Sequence, residues 1–451
     1  MKSDVVSGLA AHLGSFSVAD AEERSRWTAD GIDPGAVVFP RSVEELAEIL
    51  GRATEEGWSV LPAGRGRWLG GGGLPSEVDV VVSTREMNRV VEYVPDDLTL
   101  TAEAGLGLGR LAATTREHGQ WLAQDPPGWH DGTLGAFAST GLPGPLVAGF
   151  GRPRDHLLGL TAVTGDGRIL RPGGKVVKNV AGFDLVRLLA GSWGTLGVIA
   201  SVTVRLFPVP RTDVTLLLQE PVDGGVPAVL LEHARAWATA PVLPEALELL
   251  MKSSREGTGG AVLAARLLGS AEEVAEKERI LREAAGGSEP RRIEGEESRR
   301  FQDRLTRAPD SVAGEGGVPN LLIRLAALPS RLGAALDVAE ELRHQAEATG
   351  SVGRSRASVT RGTICVELTS DLPPEAAFPT ELWGPLLESC RERMSGLEGT
   401  LTILRGTRAL RHAVADRGPV GPRERLAEGV RREFDPAGVL APGRSDGEGS
   451  R

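Results

Sequence analysis

Glycine-rich segments offer the clearest chemistry in this chain, and the first spans residues 62–73, Pro-Ala-Gly-Arg-Gly-Arg-Trp-Leu-Gly-Gly-Gly-Gly. Glycine adopts positive φ without steric cost and lets a backbone approach a ligand closely. Successive backbone N–H groups in such a loop form a concavity that binds anions. The loop is therefore a candidate cradle for a pyrophosphate group.

Two other interpretations of this loop are open. Its spacing, Gly64-x-Gly66-x-x-x-Gly70, is one residue longer than the G-x-G-x-x-G of dinucleotide-binding βαβ units. That motif has to open a helix, whereas here more glycines, Leu74 and Pro75 follow, and then a strand-like run. The remaining alternative is a flexible surface loop that binds nothing.

Two further glycine-rich loops make a large cofactor the stronger interpretation. Residues 125–141 combine glycines with small and hydroxyl side chains, and residues 191–199 read Gly-Ser-Trp-Gly-Thr-Leu-Gly-Val-Ile and lead into a strand. A long dinucleotide needs several separate backbone contacts, which three such loops can supply. Glycine makes up 59 of the 451 residues, about twice the usual ~7%, and many of these glycines lie in residues 64–73, 128–151 and 165–197.

The elements that must position these loops follow from hydrophobic spacing and turn residues. Ser42 and Glu45 form a capping-box pattern that predicts a helix ending near Gly57. Asp166-Gly167 predicts the turn of a β-hairpin. Further strands are predicted at 58–61, 78–82, 98–104 and 199–207, and a helix at 108–118.

Residues 211–415 differ in style from the glycine-rich part. Strand-like runs at 214–218, 261–267, 321–326, 363–368 and 401–404 alternate with charged helical stretches such as 271–285 and 331–348. This alternation predicts a separate α+β domain. We therefore expect an N-terminal extension (1–30), a first domain (31–210), a second domain (211–415), and a C-terminal helix and tail (416–451).

Composition excludes several classes of partner and site. The net charge is −10 at pH 7, which argues against a nucleic acid or an anionic membrane as partner. Cys365 and Cys390 lie in no C-x-x-C or Cys/His cluster, so we expect free core thiols, with one disulfide as the alternative, and neither a metal nor an iron–sulfur site. No apolar run of ~18 residues and no signal-peptide pattern is present, which predicts a cytoplasmic protein that reaches a membrane only through partners.

The order of these motifs resembles a known flavoprotein family. The segments 62–66, 98–105 (Leu-Thr-Leu-Thr-Ala-Glu-Ala-Gly), 133–135 and 191–199 are similar to the FAD-binding domain of the vanillyl-alcohol-oxidase/PCMH family. Residues 174–185 (Gly-Lys-Val-Val-Lys-Asn-Val-Ala-Gly-Phe-Asp-Leu) resemble the FAD-binding E subunit of bacterial glycolate oxidase, and residues 434–444 the family's C-terminal segment.

The resemblance implies an α+β fold and a set of FAD-binding residues. The fold would be a two-subdomain PCMH-type FAD-binding domain and an α+β cap domain, with a C-terminal segment returning to the FAD-binding domain. The first loop would line the pyrophosphate, the second would pack along the cofactor, and the third would contact it by main chain. These residues are Pro62, Ala63, Gly64, Arg65, Gly66, Arg67, Trp68, Leu69, Gly70 and Gly71; Thr133, Leu134, Gly135, Ser139, Thr140 and Gly141; and Gly197, Val198 and Ile199.

Departures from the family pattern imply an accessory subunit. Residues 65–71 contain no His of the kind that covalent members carry, which implies noncovalent FAD. The acid that catalytic hydroxy-acid dehydrogenase members carry in G-S-E-G-T-L-G is Trp193 here, and their histidine run for metal and substrate is absent, since His233, His344 and His412 stand alone.

The resemblance therefore implies the FAD-binding subunit of a glycolate-oxidase-like complex. It would support oxidation of a small 2-hydroxy acid to a 2-oxo acid beside a catalytic flavin subunit, and electrons would pass to an iron–sulfur subunit. Two alternatives stay open: a stand-alone FAD-dependent 2-hydroxy acid dehydrogenase, and a non-catalytic scaffold that has lost FAD.

No catalytic residue is identified, and His130 and Lys178 are only weak candidates. His130 would lie near the flavin face or be an exposed loop residue. Lys178, with Lys175, is one of five lysines in an arginine-rich chain, so a compact ammonium in a cofactor, substrate or subunit contact competes with a local salt bridge.

Four other features have a structural interpretation beside a functional one. Asp184 is expected to pair with Arg187 or a lysine, Arg154 and Asp155 are expected to form a structural pair, and Tyr93 is expected to be packed. Trp68 would lie either over the cofactor or among other apolar side chains.

Overall fold

The computed structural model describes residues 18–174, 183–221, 225–253, 260–306, 320–414 and 422–444. Its strands, in chain order, are β1 Ala36–Val38, β2 Val60–Ala63, β3 Val80–Ser83, β4 Val90–Val94, β5 Thr99–Glu103, β6 Gln120–Trp121, β7 Leu157–Val163, β8 Ile169–Leu170, β9 Val198–Arg205, β10 Phe207–Pro208, β11 Thr212–Pro221, β12 Ala246–Met251, β13 Gly260–Gly269, β14 Arg291–Glu294, β15 Asn320–Ala326, β16 Val352–Ser358, β17 Thr363–Thr369 and β18 Thr400–Arg405.

Helices alternate with these strands along the chain. They are α1 Ala21–Ser25, α2 Val43–Glu56, α3 Leu108–Arg116, α4 Leu134–Thr140, α5 Val147–Phe150, α6 Leu185–Leu189, α7 Ala228–Ala238, α8 Ala271–Ala284, α9 Gly295–Thr306, α10 Leu332–Ala348, α11 Pro374–Ala377, α12 Thr380–Gly396, α13 Arg408–Ala413 and α14 Pro422–Phe434. Across the described ranges, no helix combines the length and the apolar composition that crossing a membrane requires.

The strands form three principal sheets. A parallel sheet has the order β1-β3-β2, and an antiparallel sheet has the order β4-β5-β9-β7-β8. The third sheet is antiparallel and has eight strands in the order β14-β11-β13-β12-β16-β17-β15-β18, while β10 pairs with β6 alone. We call the part with the first two sheets the FAD-side lobe and the part with the eight-stranded sheet the cap lobe.

Local sequence signals set several elements as predicted. The Ser42 hydroxyl accepts the N–H of Glu45 at 3.1 Å and caps α2, which ends at Gly57 with φ +69°. The Glu45 carboxylate reaches back one residue further than the usual capping box and accepts the N–H of Arg41 at 2.7 Å. The hairpin of β7 and β8 forms around Gly167, whose φ is +82°.

The C-terminal segment after α14 packs into the FAD-side lobe. The Asp435 carboxylate accepts the N–H groups of Val439 and Leu440 at 3.0 and 2.8 Å. Leu440 then forms a parallel β-bridge with Val60 of β2. The side chains of Val439 and Leu440 pack in the hydrophobic core around β1, β2 and β3. This agrees with the expected return of the C-terminal segment.

The sequence patterns missed strands β1, β4, β6, β12, β14 and β16. β12 reads Ala-Leu-Glu-Leu-Leu-Met, residues that favour helix in isolation. It is a strand because it is paired on both sides, with β13 and β16. β16 reads Val-Gly-Arg-Ser-Arg-Ala-Ser and lies between β12 and β17, so pairing there also overrides weak local preference.

Asp125 marks the contact between the two lobes. Its Oδ1 accepts the N–H of Leu146 at 2.9 Å, and its Oδ2 is buried without a partner among the described residues. Burial raises the pKa of Asp125 to about 7, against the opposing effects of the Leu146 hydrogen bond and the positive charges of Arg266 and Arg356 in the cap lobe.

A pH prediction follows for the Asp125→Asn variant. Asp125 holds a proton in the folded chain up to about pH 7 but loses it near its usual value of 3.8 when unfolded. Its contribution to stability therefore falls as the pH rises between these values. We expect urea-unfolding midpoints of the variant to exceed those of the wild type by a margin that grows from pH 4.5 to pH 8.

The control is Asp96→Asn, because Asp96 is exposed. A margin for Asp125→Asn that is constant across this pH range, or that shrinks, contradicts the assignment.

Candidate functional site

A narrow cleft in the FAD-side lobe brings the three glycine-rich loops together. We call it the slot; its empty space is about 710 Å³, part of it open to solvent. Its walls come from the loop after β2, the start of α4 and the turn into β9. The lining residues are Pro62, Ala63, Gly64, Arg65, Gly66, Arg67, Trp68, Leu69, Thr84, Asp131, Gly132, Thr133, Gly135, Ala136, Ser139, Thr140, Trp193, Gly194, Gly197, Val198, Ile199 and Arg444.

Most residues predicted to contact a cofactor line this slot, and four do not. Leu134 is fully buried in the hydrophobic core of the five-stranded sheet. Gly141, with φ +59°, ends α4 and faces a larger neighbouring cavity. Gly70 lies beside Asp30, and Gly71 lies against the indole ring of Trp193, so both are behind the wall.

Sequence reasoning missed Thr84, Asp131, Gly132, Ala136, Trp193, Gly194 and Arg444. Trp193 stands where the family pattern has an acid, and that departure does not predict its place in the wall. Arg444 is 375 residues from Leu69 in the chain, and its guanidinium donates to the Leu69 carbonyl. Arg444 belongs to the C-terminal motif noted in the sequence. The sequence did not indicate that this residue contacts the first loop.

The glycines mainly allow the loops to pack on one another. A Cβ on Gly64 would collide with the hydroxyl of Thr133, and a Cβ on Gly135 would lie 2.7 Å from the Cβ of Ala104. Gly194, with φ +78°, packs against the ring of Pro62, where an added Cβ would be 2.9 Å away. Glycine is thus needed here for contact between protein segments, and close approach to a ligand is a consequence of that packing.

Two buried arginines and one half-buried arginine, from distant parts of the chain, bind the carbonyl groups of the first loop. We call Arg405, Arg411 and Arg444 the arginine clamp. The Arg405 guanidinium donates to the carbonyl of Arg67 at 2.8 Å. Arg411 donates to the carbonyls of Gly70, at 2.8 Å, and Gly72. Arg444 donates to the carbonyls of Trp68, at 3.2 Å, and Leu69.

The clamp leaves positive charge beside the slot. Arg411 pairs with Asp30 at 2.7 Å, and both side chains are almost fully buried. Burial lowers the pKa of Arg405 to about 10, and nearby Arg67 acts in the same direction. Burial likewise lowers the pKa of Arg444 to about 10, although Asp30 opposes the effect.

One atom of the clamp points to an anionic ligand. The Nε of Arg444 is buried without a partner among the described residues, and Arg444 lines the slot. Buried donors of this kind are normally satisfied, by protein, water or ligand. A cleft with buried guanidinium groups and glycine backbone at its wall suits a pyrophosphate.

Trp68 and Trp193 stand where the slot meets the larger cavity. Their ring centroids are 6.0 Å apart with an interplanar angle of 83°. They pack against Leu142, Leu322 and Leu404, which join the two lobes. Trp193 has φ +54°, a left-handed conformation that a bulky residue rarely adopts. Trp68 was expected either at the cofactor or among apolar side chains, and it both lines the slot and packs against these leucines.

The larger cavity lies between the FAD-side lobe and the face of the eight-stranded sheet. Its empty space is about 3590 Å³, including open solvent. We call it the inter-lobe cavity. Trp68, Thr140 and Trp193 line it together with the slot.

Of the two weak catalytic candidates, His130 is described, and it lines neither the slot nor the inter-lobe cavity. His130 is half exposed, and its Nε2 lies 3.5 Å from Asp303 of α9. Lys175 and Lys178 lie outside the described residues. Of the described residues that line the slot or the inter-lobe cavity, none is a histidine.

The structural interpretations of other side chains have mixed outcomes. Asp184 caps α6 and lies 3.3 Å from Arg187, as expected. The predicted Arg154–Asp155 pair is wrong, because Asp155 accepts the N–H of Arg152 at 2.9 Å and lies 3.8 Å from Arg187, while Arg154 lines the inter-lobe cavity.

Tyr93 and the two cysteines complete this set. Tyr93 packs on the core and donates to Gln120 at 3.0 Å, as expected. Cys365 and Cys390 are both free thiols. Only Cys390 is in the core, because Cys365 faces the inter-lobe cavity.

Comparison with known proteins identifies the first part of the chain. Residues 34–173 match the family profile described as FAD binding domain. This segment is an FAD-binding domain. The cofactor of this domain is FAD, and the pyrophosphate of FAD suits the arginine clamp and the glycine backbone at the wall of the slot.

Several relatives share part of the chain. The glycolate oxidase subunit GlcE of Escherichia coli (strain K12) is 35% identical over 190 residues, which are 42% of this chain and 53% of that protein. The subunit GlcD of Bacillus subtilis (strain 168) is 34% identical over 218 residues, 48% of this chain and 45% of that protein. A D-lactate dehydrogenase of Archaeoglobus fulgidus is 37% identical over 221 residues, 49% and 48% of the two chains. The chain thus matches about half the length of these relatives.

Solved structures match the fold over almost the whole chain. p-Cresol methylhydroxylase with substrate bound has a TM-score of 0.73 at 17% identity, covering 99% of this chain and 97% of that one. The 4-ethylphenol oxidase of Gulosibacter chungangensis also has a TM-score of 0.73 at 17% identity, covering 98% and 96%. The predicted resemblance to PCMH-type flavoproteins and the α+β fold class are confirmed.

The Gly64→Ala variant tests the packing of the slot. The added Cβ would collide with Thr133, so the first and second loops would separate. We expect the Kd for FAD to rise by roughly tenfold or more, a loss of ~1.4 kcal/mol, in titrations followed by flavin absorbance. Gly51→Ala is the matched control, since no atom lies within 4 Å of its added Cβ. Equal FAD affinity of the two variants would show that the loop contact does not shape the site.

The Arg411→Met variant tests the clamp. It leaves Asp30 buried without its partner, because both side chains are nearly inaccessible. Breaking a buried ion pair from one side costs about 3–5 kcal/mol, which we expect in the free energy of unfolding from urea denaturation. The double variant Asp30→Asn/Arg411→Met should recover part of this loss, and additive losses would argue against direct coupling.

Proposed function

We propose that this chain is the FAD-binding subunit of a glycolate-oxidase-like complex, with FAD held noncovalently in the slot. The complex would oxidise a small 2-hydroxy acid to a 2-oxo acid, beside a catalytic flavin subunit, and pass electrons to an iron–sulfur subunit. Support for the assignment comes from the similarity to GlcE and GlcD together with the FAD-binding domain.

The observation that carries the flavin part is the Arg444 guanidinium at the wall of the slot. Arg444 would hold the anionic pyrophosphate with its unpartnered Nε, while Arg405 and Arg411 fix the loop that carries Gly64 and Gly66. Thr133 would keep the second loop against the first. When bound, FAD supplies the acceptor for the two electrons and the hydrogen of the substrate.

The composition of the first loop supports the noncovalent mode. Residues 62–71 contain no histidine, cysteine or tyrosine that could attach a flavin. The wall offers Trp68 and Trp193 as flat apolar surfaces at the junction with the inter-lobe cavity. We assign these two indoles to the flavin end of the cofactor, with the pyrophosphate beside Arg444.

The accessory role is supported by the side chains of the inter-lobe cavity. Oxidation of a 2-hydroxy acid needs a group that accepts the hydroxyl proton. The described wall offers the carboxylates Glu248 and Glu367 but no imidazole. Glu248 already pairs with Arg356 at 3.2 Å and Glu367 also interacts with a neighbouring group, so the described part of this wall presents no obvious base.

The test is a flavin assay combined with a turnover assay on the purified chain. We expect FAD to bind and to be released by acid precipitation, because no covalent link holds it. We also expect no turnover of glycolate or D-lactate with a dye acceptor by the chain alone, and turnover once the partner subunits are added.

Each other outcome contradicts a defined part of the proposal. Turnover by the chain alone favours a stand-alone dehydrogenase, and flavin that stays with the precipitate contradicts noncovalent binding. Failure to bind FAD at all favours a scaffold that has lost the cofactor.

A further inference from the structure

One ion pair joins the first and second glycine-rich loops across the slot. The guanidinium of Arg67, in the first loop, lies 2.5 Å from the carboxylate of Asp131, in the second loop, and both residues line the slot. The Asp131 side chain is 58% exposed, whereas Val198 and Ile199, which also line the slot, are buried. The ion pair therefore lies on the solvent-facing side of the slot.

The ion pair bars passage between the two loops. Its nitrogen and oxygen atoms are in direct contact, so they leave no gap between the loops at this point. A flat aromatic ring is about 3.5 Å thick, judged by the contact distance between carbon atoms. FAD that enters or leaves the slot between these loops must therefore break the contact of Arg67 with Asp131.

The other end of the slot, towards the inter-lobe cavity, is narrowed by apolar packing. Trp68 and Trp193 stand edge to face there and pack against Leu142, Leu322 and Leu404. The three leucines are buried and come from both lobes, so widening this end would expose apolar surface and separate the lobes. An ion pair that water can reach contributes little stability by comparison. Opening between the loops is therefore the less costly route.

The turn that carries Asp131 is anchored at its two ends. It is a single 3₁₀ turn between Gly128 and Gly132. The N–H of Gly128 donates to the carbonyl of Thr306 in α9 at 2.8 Å, and the N–H of Leu108 donates to the carbonyl of Gly132 at 2.9 Å. Because glycine changes backbone conformation at low steric cost, the exposed residues between these anchors can move while the anchors stay in place.

Arg67 is the more firmly held partner of the ion pair. Its carbonyl accepts a hydrogen bond from Arg405 of the arginine clamp at 2.8 Å, and its side chain is 21% exposed. Opening therefore requires movement of the turn that carries Asp131, and the clamped first loop can keep its shape.

We propose that Arg67 and Asp131 form a latch that opens to admit and release FAD, and that this latch sets the rate of cofactor exchange. The inference rests on the noncovalent FAD site of the proposed function. Loss of either partner lowers the barrier to opening in the free chain and in the FAD-loaded chain alike. Association and dissociation therefore become faster together, while the Kd for FAD changes little.

A direct charge effect on the bound pyrophosphate predicts a different result. Loss of the positive charge of Arg67 would weaken FAD binding, and loss of the negative charge of Asp131 would strengthen it. The two substitutions would then shift the Kd in opposite directions. The latch predicts instead that both substitutions accelerate exchange.

The experiment compares FAD exchange in the wild type, Arg67→Met, Asp131→Ala and the double variant. Dissociation is measured by chasing bound radiolabelled FAD with unlabelled FAD, and association by flavin absorbance after mixing FAD with the cofactor-free chain. We expect both rates to rise about fivefold in each single variant, as suits the loss of one solvent-accessible ion pair, with the Kd within about twofold of the wild type. The double variant should show the same rise, because either substitution alone already removes the latch.

Glu56→Ala is the matched control. It removes the acid from an ion pair of 2.7 Å with Arg52 that does not line the slot, so it should keep the exchange rates of the wild type. Unfolding midpoints measured in parallel show that the variants are folded.

Two kinds of failure can be told apart. Wild-type exchange rates in either single variant, or opposite shifts of the Kd in the two, overturn the latch and leave the FAD site of the proposed function intact. If the wild-type chain takes up no FAD, the FAD site and the latch both fail.

Discussion

The arginine clamp is the interaction on which the rest of this structure depends. A loop with six glycines between residues 64 and 73 has little intrinsic preference for one conformation. Its carbonyls are fixed by guanidinium groups from β18, from α13 and from the end of the described chain. The shape of the FAD-side slot is therefore decided by residues that lie outside the FAD-binding domain.

The clamp also joins the two lobes electrostatically. Desolvation of several guanidinium groups in one place is unfavourable, and Asp30 is the acid that pairs with Arg411. Carbonyl oxygens of the first loop, which carry no formal negative charge, accept further hydrogen bonds from the clamp. A pyrophosphate beside this positive charge would stabilise it. Cofactor binding would therefore also stabilise the contact between the lobes.

The cap lobe contributes a polar sheet face to an inter-lobe cavity. Strands such as β16 are weak in intrinsic preference, and pairing with neighbours on both sides holds them in place. The side chains that face the inter-lobe cavity therefore do not have to pack in a hydrophobic core. Arg324, Cys365 and Arg356 can accordingly face open space rather than the core, which lies on the opposite side of the same sheet.

Elements with local signals could be predicted from the amino-acid sequence alone, and so could the family that the first domain resembles. The cap of α2 at Ser42 and the hairpin at Gly167 depend on a few adjacent residues, so they could be read directly. The three glycine-rich loops could be read as one site because each lies next to a strand.

The contacts of those loops become visible only in the folded chain. Arg444 reaches the first loop from the far end of the chain, and Arg324 faces the inter-lobe cavity from a strand that lies beside β17. Leu134 shows the reverse case, a residue inside a cofactor motif whose side chain is buried in the core. Contacts between segments far apart in the chain depend on packing and register, and no local pattern of residues encodes them.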